Sequence, residues 1–249
     1  MDNRATLDGL INLHKPVGIS SARALYRVRS ITRQKKSGHA GTLDPGASGV
    51  LVLCLGKATK LVETLMNQPK VYRACARLDV TSESLDSDRP LIPVAIDSVP
   101  SFDLVARVFP NFEGLISQVP PAISALKVGG VPAYKRVARG QIVTLAPRPV
   151  RVYWIVLHSY RWPTMDFEVC CGRGTYIRSL IRDFGQALGT GGCLTSLVRT
   201  RVGPMSLEEA HTIETLAGTF SRECHLIDIT RATTLLNSQS VVVPARPCV

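Results

Sequence analysis

The chain has 249 residues, 45% of them hydrophobic, enough for the packed core of one large domain or of a domain with a small appendage. Thirty Lys and Arg against 19 Asp and Glu leave a formal net charge of +11, so the surface field draws polyanions. Nucleic acid leads, while charge alone also admits an anionic membrane surface or an acidic protein. No apolar run approaches the roughly twenty residues that span a bilayer, and the first residues lack the charged start and apolar core of a secretory signal. A cytoplasmic protein with no membrane association is expected. Seven cysteines, at 54, 75, 170, 171, 193, 224 and 248, include no Cys-x-x-Cys pair and no His at zinc spacing. They read as reduced core thiols, with no metal site.

Leu7 to Leu13 reads as a short apolar strand ending in the turn His14-Lys15-Pro16-Val17-Gly18-Ile19-Ser20-Ser21, where Ser20 or Ser21 caps a helix. Residues 22–33 form a basic amphipathic helix. Its cations Arg23, Arg27, Arg29 and Arg33, with Lys35 and Lys36, fit a phosphate-facing edge or, equally, a solvated helix face. Residues 38–51, Gly-His-Ala-Gly-Thr-Leu-Asp-Pro-Gly-Ala-Ser-Gly-Val-Leu, then place one carboxylate, Asp44, in a glycine-rich turn directly before an apolar run. Glycines allow close approach of a ligand to the backbone, and Pro45 stiffens the chain after Asp44. The arrangement suits a nucleophile, although Asp beside Pro and Gly is also the composition of an Asx-type turn. Val50 to Leu55 is a buried strand, followed by helical spacing from Gly56 to Leu65.

Lys70 to Val80 alternates around Tyr72 as a strand with one buried face, and a polar stretch follows from Thr81 to Asp88. Phe102 to Gly114 is helical. Gln118-Val-Pro-Pro-Ala-Ile-Ser-Ala-Leu-Lys127 opens a Pro- and Gly-rich loop carrying Lys127, Lys135, Arg136 and Arg139. Val150 to Tyr160 and Met165 to Cys171 pair as strands. Gly172 to Gly189 is a strand-to-helix junction with Ile177, Leu180, Ile181, Phe184 and Leu188 on one stripe, stopped by Gly189-Thr-Gly-Gly192. Leu207 to Leu216 is the last helix, with Ser206 as N-cap and Glu209 at capping-box spacing. A little strand-like sequence follows Ile227. Strands interspersed with helices give an α+β or mixed α/β architecture.

The 38–51 segment resembles the catalytic motif of the TruB-type tRNA pseudouridine synthases, and five more segments resemble that family in the family's order. They are the Lys15-Pro16-x-Gly18-x-Ser20-Ser21 turn, the strand around Tyr72 with Thr81 and Asp86, Gln118 to Lys127 continued by Tyr134 and Ala138-Arg139-Gly140, Gly172-Arg-Gly-Thr-Tyr-Ile-Arg178, and Leu197-Val-Arg-Thr-Arg-Val-Gly203. The resemblance implies the pseudouridine synthase fold, α+β, a bent mixed β-sheet flanked by helices and loops. It implies a catalytic domain over 1–226 with a thumb loop at about 118–145, and a short extension over 227–249 without a complete PUA-type domain. The chain departs from the family pattern at Asp79, Ile123 and Val198, where Gly, Tyr and Arg are usual.

The implied reaction isomerises uridine to pseudouridine, at uridine 55 in the T loop of tRNA. It breaks the N1–C1′ bond, turns the base and rejoins it through C5, with no redox change, so no cofactor is expected. Asp44 is the implied nucleophile. Arg178 would hold it ionised, since Arg stays protonated and binds carboxylates bidentately. Tyr72 would stack on the flipped uracil and assist loss of the C5 proton, Tyr176 would form a second wall, and Leu197 would line the pocket. His39 would occupy or brace the gap the flipped base leaves. Lys127, Lys135, Arg136 and Arg139 would hold the RNA backbone, as the family's thumb grips the T arm. The Asp44 loop, the Tyr72 strand and the 172–178 junction are expected in one cleft, in a monomer that needs no guide RNA. The competing readings are a non-catalytic RNA-binding or tRNA-folding protein on the same scaffold, a hydrolase using Asp44 as base, and a guide-RNA-dependent synthase. For the hydrolase the sequence offers no second carboxylate or metal cluster at suitable spacing.

Overall fold

The computed structural model describes residues 7–237 and 243–247. Cys248, the N-terminal segment read for a secretory signal, and part of the 227–249 extension lie outside the described residues. In chain order the first strands are β1 (Gly9–Lys15), β2 (Ser37–His39), β3 (Ser48–Leu55), β4 (Lys70–Arg77), β5 (Val80–Thr81), β6 (Ile92–Pro93) and β7 (Gly114–Gln118). Then come β8 (Lys127–Val128), β9 (Val131–Pro132), β10 (Arg148–Arg161), β11 (Thr164–Cys171), β12 (Cys193–Val202), β13 (Met205–Ser206) and β14 (Ile227–Asp228). The helices are α1 (Ser21–Thr32), α2 (Val62–Asn67), α3 (Phe102–Val108), α4 (Ala133–Val137), α5 (Ile177–Leu188), α6 (Ile213–Thr219), α7 (Arg222–His225) and α8 (Ile229–Asn237). This is an α+β protein. Two compact units divide the described residues, 7–72 with 197–237 and 243–245, and 73–196 with 246–247.

In the first unit the strand order is β14-β1-β3-β12, with β2 also paired to β3 and β13 to β12. The sheet is mixed, because β1 runs antiparallel to β3 while β12 runs parallel to it. Both faces of β1 and β3 are covered. Leu10, Val50, Val52 and Cys54 pack with Leu65, Ala232 and Leu236, and Ile11, Leu13, Leu51, Leu53 and Leu55 pack with Ala24, Val28, Ile213 and Leu216. Two-sided burial is why this strand reads as a continuous apolar run instead of an alternating one. Ser20 caps α1 by accepting from the Arg23 amide, and Arg23, Arg27 and Arg29 lie on its exposed face.

Three sequence expectations are corrected in this unit. The segment after β3 is a 3-10 turn over Gly56–Leu61 before α2 begins, so only its second half is α-helical. No helix spans Leu207 to Leu216. Ser206 lies in β13, opposite Arg201, and the Leu207 amide donates to the Thr200 carbonyl, which commits this backbone to strand pairing. The helix starts later, capped by Thr212, whose side chain accepts from the Thr215 amide. After β14, α8 continues where the sequence suggested only strand, burying Ala232 and Leu236.

In the second unit β7, β10 and β11 form an antiparallel ladder, while β5 with β6 and β8 with β9 make two small ribbons. α5 buries Ile177, Leu180, Ile181 and Phe184. Phe184 stacks on Phe109 at 4.3 Å between ring centroids, and Phe109 also meets Phe167 at 5.9 Å. The thumb segment contains the β8–β9 ribbon and α4. Asp79, at a position where the resemblance departs, is engaged by Arg77 through Nε to Oδ1 at 2.9 Å. Of the cysteines, Cys54, Cys170, Cys171 and Cys193 are buried and Cys75 is half-buried, but Cys224 is exposed and is not a core thiol. Among the described residues no helix is long and apolar enough to cross a membrane.

Candidate active site

Asp44 occupies the turn between β2 and β3, half-buried. Its carbonyl accepts from the Ala47 amide at 3.1 Å, closing the turn. The Lys15–Ser21 segment grips the chain on both sides of it. Ser21 Oγ donates to the Leu43 carbonyl at 2.9 Å and accepts from the Leu43 amide at 2.8 Å, and the Gly18 amide donates to the Pro45 carbonyl at 2.8 Å. A carboxylate flanked by fixed residues is pre-oriented, which is the geometric requirement for a nucleophile.

Two buried cations accompany this turn. Lys15 is fully buried, and its ammonium donates to the carbonyls of Pro16 and Ile19, each at 2.8 Å. Burial lowers its pKa from 10.5 to about 8, opposed by the charge of Asp44 and reinforced by that of Arg199. Arg199 is 1% exposed. His39, which closes β2, is half-buried, and burial followed by the Arg199 charge pushes its pKa below the ordinary imidazole value. A neutral His39 suits stacking or bracing better than phosphate binding.

The Lys15 shift has a sign that can be checked. Between about pH 8 and pH 10.5 the unfolded chain keeps a proton that the folded protein has released, so Lys15 adds stability as pH rises through that window. Below about 8 both states hold the proton and the increment is absent. In urea denaturation, wild type should gain stability relative to Lys15→Met between about pH 7 and about pH 9.5. A constant difference across that range would contradict the buried ammonium.

Tyr72 lies on β4 and is 8% exposed. Beside it, the Thr200 hydroxyl donates to the Val71 carbonyl at 3.3 Å. Leu197 is half-buried on β12, and its neighbour Val198 pairs with Ser48.

In the second unit Tyr176 is the N-cap residue of α5. Gln118, 1% exposed, holds it by a reciprocal pair, receiving the Tyr176 amide on Oε1 at 2.8 Å and donating Nε2 to the Tyr176 carbonyl at 3.1 Å. The Arg148 guanidinium lies 5.3 Å from the Tyr176 ring centroid. Arg178 is 6% exposed, with Nη1 donating to the carbonyls of Ser84 at 2.9 Å and Ile123 at 3.1 Å. The bond to Ile123 uses its backbone, so it does not depend on the side chain at this departing position. Lys127, Lys135 and Arg139 are exposed. Arg136 is half-buried and ties the thumb together, donating to the Val128 carbonyl at 3.1 Å and to Gln141 Oε1 at 3.4 Å. Among the described residues no cluster of His, Cys, Asp and Glu could hold a metal ion.

Sequence reading missed Gln118 and Arg199 as site-building side chains. Both are long polar residues whose chain neighbours are exposed or half-buried, Ser117 and Val119 beside Gln118 and Val198 and Thr200 beside Arg199, so nothing local in the sequence marks their burial.

The family model described as TruB family pseudouridylate synthase (N terminal domain) matches residues 29–177, and the model for the tRNA pseudouridylate synthase B C-terminal domain matches residues 178–234. The chain belongs to the TruB family of pseudouridylate synthases. It is 44% identical over 216 residues to the tRNA pseudouridine synthase B of Burkholderia mallei (strain NCTC 10247), covering 86% of this chain and 70% of the relative. It is 40% identical over 213 residues to the protein of the same name from Pseudomonas aeruginosa (strain UCBPP-PA14), with the same coverage. Among solved structures it is similar to a chain of a Cbf5-Nop10-Gar1 complex, with a TM-score of 0.66, 34% identity and coverage of 84% of this chain and 53% of that one. A chain of the archaeal box H/ACA sRNP Nop10-Cbf5 complex gives a TM-score of 0.64 at 31% identity, covering 87% of this chain and 56% of that one. The chain thus spans about half the length of these solved chains. The likeness carries the pseudouridine synthase fold.

Proposed function

We propose that this protein isomerises uridine to pseudouridine in tRNA, at uridine 55 of the T loop, with Asp44 as the nucleophile. The observation that carries the reading is the Asp44 turn, a half-buried carboxylate whose two flanks are pinned by Ser21 and Gly18 in a member of this family. In the reaction the N1–C1′ bond breaks and a C5–C1′ bond forms. The proton on C5 leaves and N1 takes one up, so atoms balance without a cofactor. Tyr72 stacks on the base and assists loss of the C5 proton, Leu197 and Tyr176 line the uracil pocket, and His39 braces the gap left by the flipped base. Arg178 is the cation assigned to the Asp44 carboxylate, and Lys127, Lys135, Arg136 and Arg139 engage RNA phosphates. The protein acts as a monomer in the cytoplasm, without a guide RNA.

RNA backbone contacts made by cations release counterions. With Lys127, Lys135, Arg139 and the α1 cations exposed, affinity for an unmodified tRNA transcript should fall at least about tenfold between 50 and 200 mM salt if a few phosphates are engaged. A flat response would remove the electrostatic account. The reading itself is tested by incubating the purified protein with that transcript and chromatographing the digested nucleosides. Uridine should be lost and pseudouridine gained in equal amount; bound RNA of unchanged nucleoside composition would favour the RNA-binding alternative.

A further inference from the structure

Arg199 is one of the largest fully buried side chains, and its hydrogen bonds go to backbone. Nε donates to the Val50 carbonyl at 2.7 Å, Nη1 to the Thr42 carbonyl at 3.4 Å and Nη2 to the Gly41 carbonyl at 3.1 Å. Gly41 and Thr42 precede Asp44, and Val50 follows it on β3. One planar fork therefore spans the two ends of the loop that carries the carboxylate. The Arg199 backbone is held there too, opposite Gly49 in the parallel pairing of β12 with β3.

We propose that Arg199 is a positioning residue, a clamp that joins the entry and exit of the Asp44 loop and so fixes where the carboxylate stands. The proposal rests on the assignment of Asp44 as nucleophile. Burying a cation among carbonyls costs desolvation that an apolar side chain of similar volume would avoid, so the side chain is better explained by geometry than by stability. Only a guanidinium offers several donors in one rigid plane; a lysine ammonium keeps the charge but lacks the fork. The charge has a second readout, since His39 lies within its field.

The test compares wild type with Arg199→Met and Arg199→Lys. Single-turnover pseudouridine formation under saturating tRNA should fall about a hundredfold in both, the loss expected when reacting groups are misplaced by about 1 Å. Affinity for tRNA should stay within about threefold, because phosphate contacts lie elsewhere. Hydrogen exchange should quicken at the Ala40 and Ala47 amides, which close this loop by bonds to Val52 and Asp44. The His39 pKa, followed by NMR, should rise in Arg199→Met but rise less in Arg199→Lys. Should Arg199→Met fail to fold, Arg199→Lys carries the test. Unchanged exchange at both amides, or a Lys variant turning over within about threefold of wild type, would overturn the clamp. If wild type makes no pseudouridine, the functional reading fails by itself, while hydrogen exchange and the His39 titration still decide whether the loop is clamped.

Discussion

Asp44→Asn should bind tRNA with wild-type affinity and form pseudouridine at least about a thousandfold more slowly, because a nucleophile lost from covalent catalysis is not replaced by binding energy. Asn keeps the size of the side chain and part of its hydrogen bonding but loses the anion. The turn around it should survive, since Ser21, Gly18 and Arg199 hold this loop by backbone atoms. Parallel measurements of binding and of single-turnover conversion separate the two effects. A variant that fails to bind would show that Asp44 contributes to affinity and that the split between anchoring cations and reacting carboxylate is wrong.

The largest effect on stability is expected from Gly49→Ala. Gly49 has φ +105°, and an ideal Cβ there would stand 2.2 Å from the Arg199 carbonyl oxygen and 2.7 Å from its amide nitrogen. Both are backbone atoms of a paired strand. The methyl group can be accommodated only by separating β12 from β3, which also withdraws Arg199 from the Asp44 loop. Left-handed strain and overpacking together should cost at least about 3 kcal/mol. Thermal unfolding of the variant measures this; a midpoint within a degree or two of wild type would mean that the two strands are not packed as closely as described.

The parts of the molecule that sequence reveals are those where one periodicity meets one environment. β3 is apolar at successive positions because both of its faces are covered, and α5 shows a single stripe because one side of it is buried. The Ser206 to Glu209 pattern misled because a Ser followed by a Glu three residues on fits a helix start and a strand-ending turn alike, and the pairing of Ser206 with Arg201 decided between them. α8 was hidden by its threonines, which carry little helix preference until Ala232 and Leu236 find a core. At the candidate site, Asp44 was conspicuous through the glycines and proline around it. Arg199 was not, because its burial depends on a parallel pairing with a glycine far away in the chain. Long-range register of that kind leaves no local mark.

The central claim, isomerisation of one T-loop uridine by Asp44, is tested most directly by mapping pseudouridine at single-nucleotide resolution in an unmodified tRNA transcript, with wild type and Asp44→Asn side by side at matched occupancy. Conversion confined to position 55 by wild type, with none by the bound variant, is the predicted result. Near-wild-type conversion by the variant, or wild type that binds the transcript and leaves uridine 55 intact, would contradict it.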